Sequence, residues 1–161
     1  MDLGLRDKIA LVAASSKGLG RASAEAIAAE GSKVTICARN EADLKATREA
    51  IVFATGAEVL AVPADMTNPA DIQNVVDQTV DHFGGLHILV TNAGGPPAGY
   101  FPDFDDEAWH KAFELSMMSG VRLIRAALPH MKKAKWGRII NITSLSVKEP
   151  VDSLVLSNSI R

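Results

Sequence analysis

A short glycine turn near the start of the chain is the first segment whose residue types suggest chemistry. It follows the apolar run Lys8–Ala13 and ends at two glycines, Gly18 and Gly20. Glycines let backbone N–H groups approach a pyrophosphate closely, and the start of a helix adds partial positive charge. The glycines alone are a weak signal, which gains weight from a position between a strand and a helix. The candidate phosphate-binding residues are Ala14, Ser16, Lys17, Gly18, Leu19 and Gly20.

The residues after the second apolar run indicate which dinucleotide such a turn would bind. Sites that prefer NAD carry an acidic residue there, which binds both ribose hydroxyls. Here Ala38 takes that place and is followed by Arg39. Because Arg39 and Lys17 can meet a 2′-phosphate that no acid repels, the pattern favours NADP over NAD. The alternative is that Arg39 lies in a solvated turn and binds nothing.

Two further strand ends carry residues suited to a nucleotide. Asp65, followed by Met66, can accept a hydrogen bond from an adenine amino group or cap the next turn, and the sequence leaves both roles open. The small residues Ala93 and Gly94 permit close approach of a cofactor, and the preceding Asn92 amide can hold neighbouring backbone groups. These positions extend the candidate cofactor site.

Alternating apolar runs and helical patterns predict the elements that position these residues. The predicted strands are Lys8–Ala13, Lys33–Ala38, Glu58–Pro63, His87–Asn92 and Gly137–Ile142. The predicted helices are Arg21–Glu30, Glu41–Phe53, one from Asn68-Pro69 to Gly84-Gly85, and a bent one from Glu107 to about Lys133, capped by Asp105 or Asp106. Right-handed crossovers then give an α/β doubly wound parallel sheet, a Rossmann fold of strand order 3-2-1-4-5. Ligands of such sheets bind outside the carboxyl ends of the strands.

Composition limits the partners of this domain. The 161 residues carry a net charge of −2, so composition indicates no positively charged surface that would bind nucleic acid or an anionic membrane. No apolar run approaches the roughly 20 residues that span a bilayer, and no leader pattern opens the chain, so we expect a cytoplasmic protein. The lone Cys37 suits a small buried strand residue, and four scattered histidines predict no metal site.

Together these motifs resemble the short-chain dehydrogenase/reductase family, and within it the 3-oxoacyl-acyl-carrier-protein reductases. The resemblance covers residues 6–161 and rests on five segments: Gly18–Gly20, Asp65, Asn92–Gly94, 126–131 and 137–144. It implies NADP-linked reduction of a small carbonyl substrate, or oxidation of the hydroxyl product. It also implies a homo-oligomer, a dimer or tetramer paired through the helices that follow the fourth and fifth strands.

The chain departs from the family's motifs at two places that bear on activity. Ala13 and Ala14 replace the Thr-Gly that opens the family's glycine motif, which crowds the turn by a methyl group. The resemblance implies a catalytic Asn, Ser, Tyr and Lys. Ser144 matches the serine that holds the substrate oxygen, and Ser116 stands in place of the asparagine that anchors a water. A serine at position 116 can still hold a water, but it has no amide.

The family's Tyr-x-x-x-Lys pair falls near the end of this chain. One register places Leu156 and Ile160 at these positions, and a shift of one residue places Ser157 and Arg161 there. The single tyrosine, Tyr100, lies in the long loop after the fourth strand and is more typical of a lid or an interface. His110 and Asp103 near that loop are the candidate substitutes for the missing acid.

Three functional hypotheses remain open on this sequence. The first is an NADP-linked oxidoreductase with divergent catalytic residues, and the second is a nucleotide-binding or scaffold protein that kept the fold without the chemistry. The third is a flavodoxin-like or regulatory role. Because the family fold continues with a helix and two strands after strand five, we expect residues 1–161 to be the N-terminal portion of a longer domain. Strand five would then be an open edge, with Ile139, Ile140 and Ile142 poorly covered.

Overall fold

A computed structural model describes residues 3–161 as one parallel sheet with helices on both faces. The strands are β1 (Ile9–Val12), β2 (Lys33–Ala38), β3 (Val59–Pro63), β4 (Ile88–Thr91) and β5 (Arg138–Asn141). The helices are α1 (Gly18–Ala29), α2 (Glu41–Thr55), α3 (Pro69–Phe83), α4 (Asp106–Phe113), α5 (Ser119–Ala134) and α6 (Val155–Ile160). The order β3-β2-β1-β4-β5 confirms the predicted topology. Every pairing is parallel, so all five carboxyl ends meet at one edge of the sheet.

Local sequence signals fix where the helices begin and end. The Asn40 side chain accepts a hydrogen bond from the Asp43 N–H at the start of α2, and the Asn68 side chain accepts one from Ala70 at the start of α3. Gly56 and Gly84 end these helices in the left-handed conformation that glycine adopts without strain. The short connections that result bring each helix back over the sheet.

Two apolar cores lie on opposite faces of the sheet. On one face, α3 and α5 contribute Ile72 and Leu123 to a cluster around Leu11 of β1. On the other, α1 and α2 contribute Ala28 and Ile51 to a second cluster. Strands buried on both sides account for the nearly continuous apolar runs in the sequence.

The predicted bent helix is divided by a π-helical segment, Glu114–Met118, between α4 and α5. The Asp105 side chain accepts from the Ala108 N–H, which settles the choice of cap at the start of α4. Within the bend, the Ser119 hydroxyl donates to the Leu115 carbonyl at 2.5 Å. A π-helical turn inserts an extra residue into the helical path, and such turns often occur at functional sites. Ser116 lies in this segment.

The outer strand β5 forms an exposed edge. Ile139 is 37% and Ile140 50% exposed, as expected for these two residues. Ile142 is better covered than predicted, because it is half-buried and packs against the core that includes α1 and α2. Within residues 3–161, no helix combines the length and apolar character that a bilayer span requires.

Candidate functional site

A cleft of about 930 Å³ lies at the carboxyl edge of the sheet, where the sequence predicted a ligand site. We call it the main cleft. The structure brings most of the predicted cofactor residues to its walls. These are Ala14, Ser16, Lys17, Leu19, Arg39, Asp65, Met66, Asn92, Ala93 and Gly94. Gly18 and Gly20 lie in the first turn of α1, next to the lining residues Lys17 and Leu19. The same cleft is large enough for a drug-sized or larger ligand.

Hydrogen bonds from three elements hold the glycine turn in place. The Asn92 amide after β4 donates to the Ala14 carbonyl at 3.1 Å, which is the backbone-holding role expected for it. Thr47 of α2 donates its hydroxyl to the Ser16 carbonyl at 2.8 Å. Thr47 was missed by the sequence reasoning, because nothing in the order of residues joins the middle of α2 to this turn.

A second unpredicted residue, Ser15, ties the turn to the neighbouring strand. Its hydroxyl donates to the Val12 carbonyl at 2.7 Å and accepts from the Cys37 N–H at 3.1 Å. Cys37 is fully buried, and burial raises the pKa of its thiol to about 12. The thiol is therefore protonated and unreactive at neutral pH, in agreement with a packing role.

The backbone of the turn fits a close phosphate approach. A Cβ atom at Gly20 would lie 2.4 Å from the Ala14 carbonyl oxygen, so only glycine fits between the turn and α1. Gly18 has a φ of 59° and open space where a side chain would project, which leaves its side of the turn free for a ligand. Ala14 has a φ of 47°, a left-handed conformation that favours glycine. Alanine at position 14, where the family's motif has glycine, therefore strains the backbone but leaves the turn open.

At the other end of the main cleft, Asp65 and Arg39 face each other. One Asp65 carboxylate oxygen accepts from the N–H and the hydroxyl of Thr67, so the turn-capping role is present. These hydrogen bonds and the nearby Arg39 guanidinium hold the pKa of Asp65 below its ordinary value. Arg39 lies 4.0 Å from the other carboxylate oxygen and is 80% exposed, so this ion pair restrains it weakly. Its guanidinium can turn toward a ligand.

Of the two predicted reacting residues, Ser116 lines a smaller cavity of about 200 Å³, whereas Ser144 follows Thr143 without lining this cavity or the main cleft. We call the smaller cavity the inner cavity; its walls include Ser116, Ser119, Thr143 and Arg161. Ser144 caps the short turn after β5, where its oxygen accepts from the N–H and the hydroxyl of Ser146. Thr143, which the sequence reasoning passed over, lines both the main cleft and the inner cavity.

The structure separates the two registers for the missing Tyr and Lys. Leu156 is fully buried and Ser157 nearly so, whereas Arg161 lines both the main cleft and the inner cavity. Ile160 reaches the inner cavity alone. Both candidate positions for the tyrosine are therefore buried, and the candidate positions for the lysine differ in that Arg161 faces the main cleft.

The other candidate acids are placed differently. Tyr100 is 60% exposed and stands in the loop before α4. The Asp103 carboxylate accepts from the Tyr100 N–H at 2.7 Å, so it stabilises that loop, whereas His110 of α4 lines the main cleft. Within the part of the chain that the structure describes, no group of three His, Cys, Asp or Glu side chains could hold a metal ion.

Comparisons with known proteins agree with this geometry. D-beta-hydroxybutyrate dehydrogenase of Rhizobium meliloti is 36% identical over 138 residues, which are 85% of this chain and 54% of that protein. A 3-oxoacyl-[acyl-carrier-protein] reductase of Escherichia coli is 36% identical over 143 residues, 89% of this chain and 57% of that one. The chain thus spans between half and two thirds of the length of these relatives.

A solved structure and a family model extend the comparison. L-sorbose reductase of Gluconobacter frateurii, solved with NADPH and L-sorbose, superposes with a TM-score of 0.96 at 33% identity and covers 99% of this chain and 61% of that one. The short chain dehydrogenase model matches residues 8–156, from the start of β1 into α6. The chain belongs to the short-chain dehydrogenase family.

Proposed function

We propose that this chain is an NADP-linked oxidoreductase that reduces the carbonyl group of a small molecule. The observation that carries the proposal is the main cleft, with a glycine turn at one wall and Arg39 and Lys17 at the mouth. Ala38 leaves no carboxylate at the position where an acidic residue would repel a 2′-phosphate. The exposed guanidinium of Arg39 can form two parallel hydrogen bonds to such a phosphate.

The residues present fit a dinucleotide from end to end. The open face of Gly18 and the start of α1 suit a pyrophosphate, and the Asp65 oxygen that Thr67 does not use, weakly paired with Arg39, suits an adenine amino group. When bound, the dinucleotide supplies a hydride. Ser144 accepts two hydrogen bonds from Ser146, which leaves its own O–H to donate to a carbonyl oxygen. Because neither candidate position for the family's tyrosine carries a tyrosine, the oxygen of the reduced carbonyl takes its proton from water.

Titration calorimetry with NADPH and NADH tests the cofactor. We expect NADPH to bind more tightly, and Arg39→Gln to weaken NADPH by about 10-fold, or ~1.4 kcal/mol, while leaving NADH unchanged. Arg125→Gln, which removes the same charge from the exposed side of α5, is the matched control. Equal affinities for both dinucleotides would contradict the NADP assignment, and no binding of either would contradict the proposal as a whole.

NADPH oxidation over a panel of ketones, 3-oxoacyl thioesters and quinones tests the chemistry. We expect turnover on at least one class by the folded protein. The panel is needed because the relatives include a hydroxybutyrate dehydrogenase, an acyl-carrier-protein reductase and a sorbose reductase, whose named compounds differ in size and charge.

A second candidate function is nucleotide binding without catalysis. The observation that favours it is the burial of Leu156 and Ser157, the two candidate positions for the family's tyrosine. An aliphatic side chain cannot transfer a proton, and an unassisted serine hydroxyl is a poor acid or base near neutral pH. Tight NADPH binding with no turnover on any compound of the panel would support this function over the first.

We also propose that the protein forms a dimer or tetramer through α4 and α5. Phe113 at the end of α4, Met117 in the π-helical segment and Leu128 in α5 are 44%, 43% and 37% exposed. Burying these side chains in a second copy would remove an apolar surface from water. Sedimentation equilibrium checks the assembly, and Phe113→Lys is expected to shift it toward monomer. A monomeric wild-type protein at micromolar concentration would contradict the interface.

A further inference from the structure

Arg161 lines both the main cleft and the inner cavity. It follows α6 directly, and its guanidinium donates to the Ala93 carbonyl at 3.2 Å. Because Ala93 follows β4 at the edge where ligands approach, this contact holds the guanidinium between the two spaces. A half-buried cation at this position influences whatever enters either space.

The charge of Arg161 is not neutralised by an ion pair within the part of the chain that the structure describes. None of the ion pairs that the structure forms within residues 3–161 includes it. A guanidinium carries five N–H donors, and the hydrogen bond to Ala93 uses one of them. Burying a cation without an anionic partner is unfavourable, so the remaining donors favour an anionic ligand.

The inner cavity offers a second polar group without a partner. The Ser116 oxygen is buried and has no hydrogen-bond partner within the described part of the chain. The neighbouring hydroxyls are already used, since Ser119 donates to Leu115 and Thr91 donates to Asn141. Buried polar atoms nearly always have a partner, so an unpaired hydroxyl on a cavity wall points to a missing ligand.

The remaining walls of the inner cavity carry no opposing charge. Arg161 is the single charged residue among those that line it, and the others are small, apolar or neutral polar residues. The volume of about 200 Å³ is roughly seven times the share of one water in the liquid, which suits a compact molecule of a few non-hydrogen atoms. The cavity therefore matches a small anion in both sign and size.

We propose that Arg161 and Ser116 form a binding site for the carboxylate of a small oxo acid or hydroxy acid. The planar guanidinium suits the two oxygens of a carboxylate, and the Ser116 hydroxyl donates to one of them. This inference rests on the proposed function, since the acid is then the carbonyl substrate held beside the dinucleotide. It gives Arg161 a role in substrate selection that does not require proton transfer.

Calorimetric titration of acetate, propionate and acetoacetate tests this site, each with and without saturating NADP⁺, which cannot reduce them. Methyl acetoacetate, which has the same ketone without the carboxylate, is the ligand control. We expect acetoacetate to bind at least about 10-fold more tightly than its ester. Arg161→Gln should remove this preference, Arg161→Lys should keep part of it, and Ser116→Ala should weaken acid binding by a smaller factor.

Arg125→Gln removes a charge of the same sign from the exposed face of α5 and should leave acid binding unchanged. The proposal is wrong if none of the three acids binds, or if acid and ester bind equally. It is also wrong if Arg161→Gln weakens NADPH but not the acids, because Arg161 then serves the dinucleotide. Acid binding that depends on Arg161 in a protein without NADPH affinity would support this site and contradict the proposed function.

Discussion

The nucleotide end of the site, around the glycine turn of the main cleft, and the reacting end, around the inner cavity, are built from different kinds of interaction. At the nucleotide end, Asn92 after β4, Cys37 of β2 and Thr47 of α2 form hydrogen bonds to the glycine turn and hold it in place. At the reacting end, the Ser116 hydroxyl has no partner within the described residues, and Leu156 and Ser157, the two candidate positions for the family's tyrosine, are buried. Binding a phosphate depends on backbone geometry that many residues support, whereas proton transfer depends on the pKa of one side chain. The second property is therefore easier to replace without disturbing the first.

The largest effect is expected where the glycine turn contacts α1. Gly20→Ala places a methyl group 2.4 Å from the Ala14 carbonyl oxygen and 2.7 Å from the Asn92 amide, so the turn must shift. We expect the free energy of unfolding to fall by about 2 kcal/mol and NADPH affinity to be lost. Urea denaturation and calorimetry measure the two effects. Gly120→Ala in α5, where the nearest atom would be 4.0 Å away, is the control and should not destabilise. Wild-type stability of Gly20→Ala would show that the turn is looser than described.

A matched pair of substitutions tests the strain in the same turn. Ala14 and Gly18 both have positive φ angles, 47° and 59°. Ala14→Gly should raise the free energy of unfolding by about 1 kcal/mol, and Gly18→Ala should lower it by about 1 kcal/mol. The corresponding shifts in Tm are about 2–4 °C in opposite directions. A loss of stability in Ala14→Gly would mean that the methyl group contributes packing that outweighs the strain.

At the reacting end, Ser144→Ala should separate binding from chemistry. The hydroxyl accepts from Ser146 and caps a short surface turn, so its loss should cost less than about 1 kcal/mol of stability. We expect unchanged NADPH affinity and a lower kcat in the NADPH oxidation assay. Ser146→Ala removes the same hydroxyl contact but keeps the Ser144 oxygen. Equal losses of kcat in both variants would assign Ser144 a structural role only.

The smallest effect is expected at the amino edge of the sheet, away from both the glycine turn and the inner cavity. His87 accepts a hydrogen bond from the Ile9 N–H through Nδ1, and burial together with the Lys8 charge lowers its pKa below 6.5. The unfolded chain then binds a proton more readily than the folded one. Stability should therefore fall as pH drops from about 7.5 to about 5.5, starting near the unfolded pKa.

His87→Asn keeps an acceptor for Ile9 but does not titrate in this range. Urea denaturation at both pH values should show a shallower pH dependence in this variant than in the wild type. Identical slopes would mean that other groups cause the acid sensitivity. Neither protein should change in NADPH affinity, because His87 is remote from the carboxyl edge of the sheet that forms the cleft.

The sequence predicted the sheet and most of the main cleft because both follow from local patterns. Apolar runs, helix caps and glycine stops are short-range signals, and they placed β2 at its observed ends and the other strands within two residues at each end. The helix bend was expected, but its π-helical form was not, since that depends on packing between α4, α5 and the sheet. Thr47 and Ser15 were missed because their partners come from distant parts of the chain or from backbone atoms that carry no residue-type signal.

By itself, the sequence determined the strand order, the glycine turn and the absence of an acidic residue after β2, because residue type and order decide these. Tertiary structure decided which register places a side chain in the main cleft: it put Arg161 there and buried Leu156 and Ser157. Within residues 3–161, it also left the Ser116 hydroxyl without a partner, in a cavity whose lining includes one charged residue, Arg161. The physical reason is that burial and charge pairing depend on three-dimensional neighbours, which the order of residues along the chain does not specify.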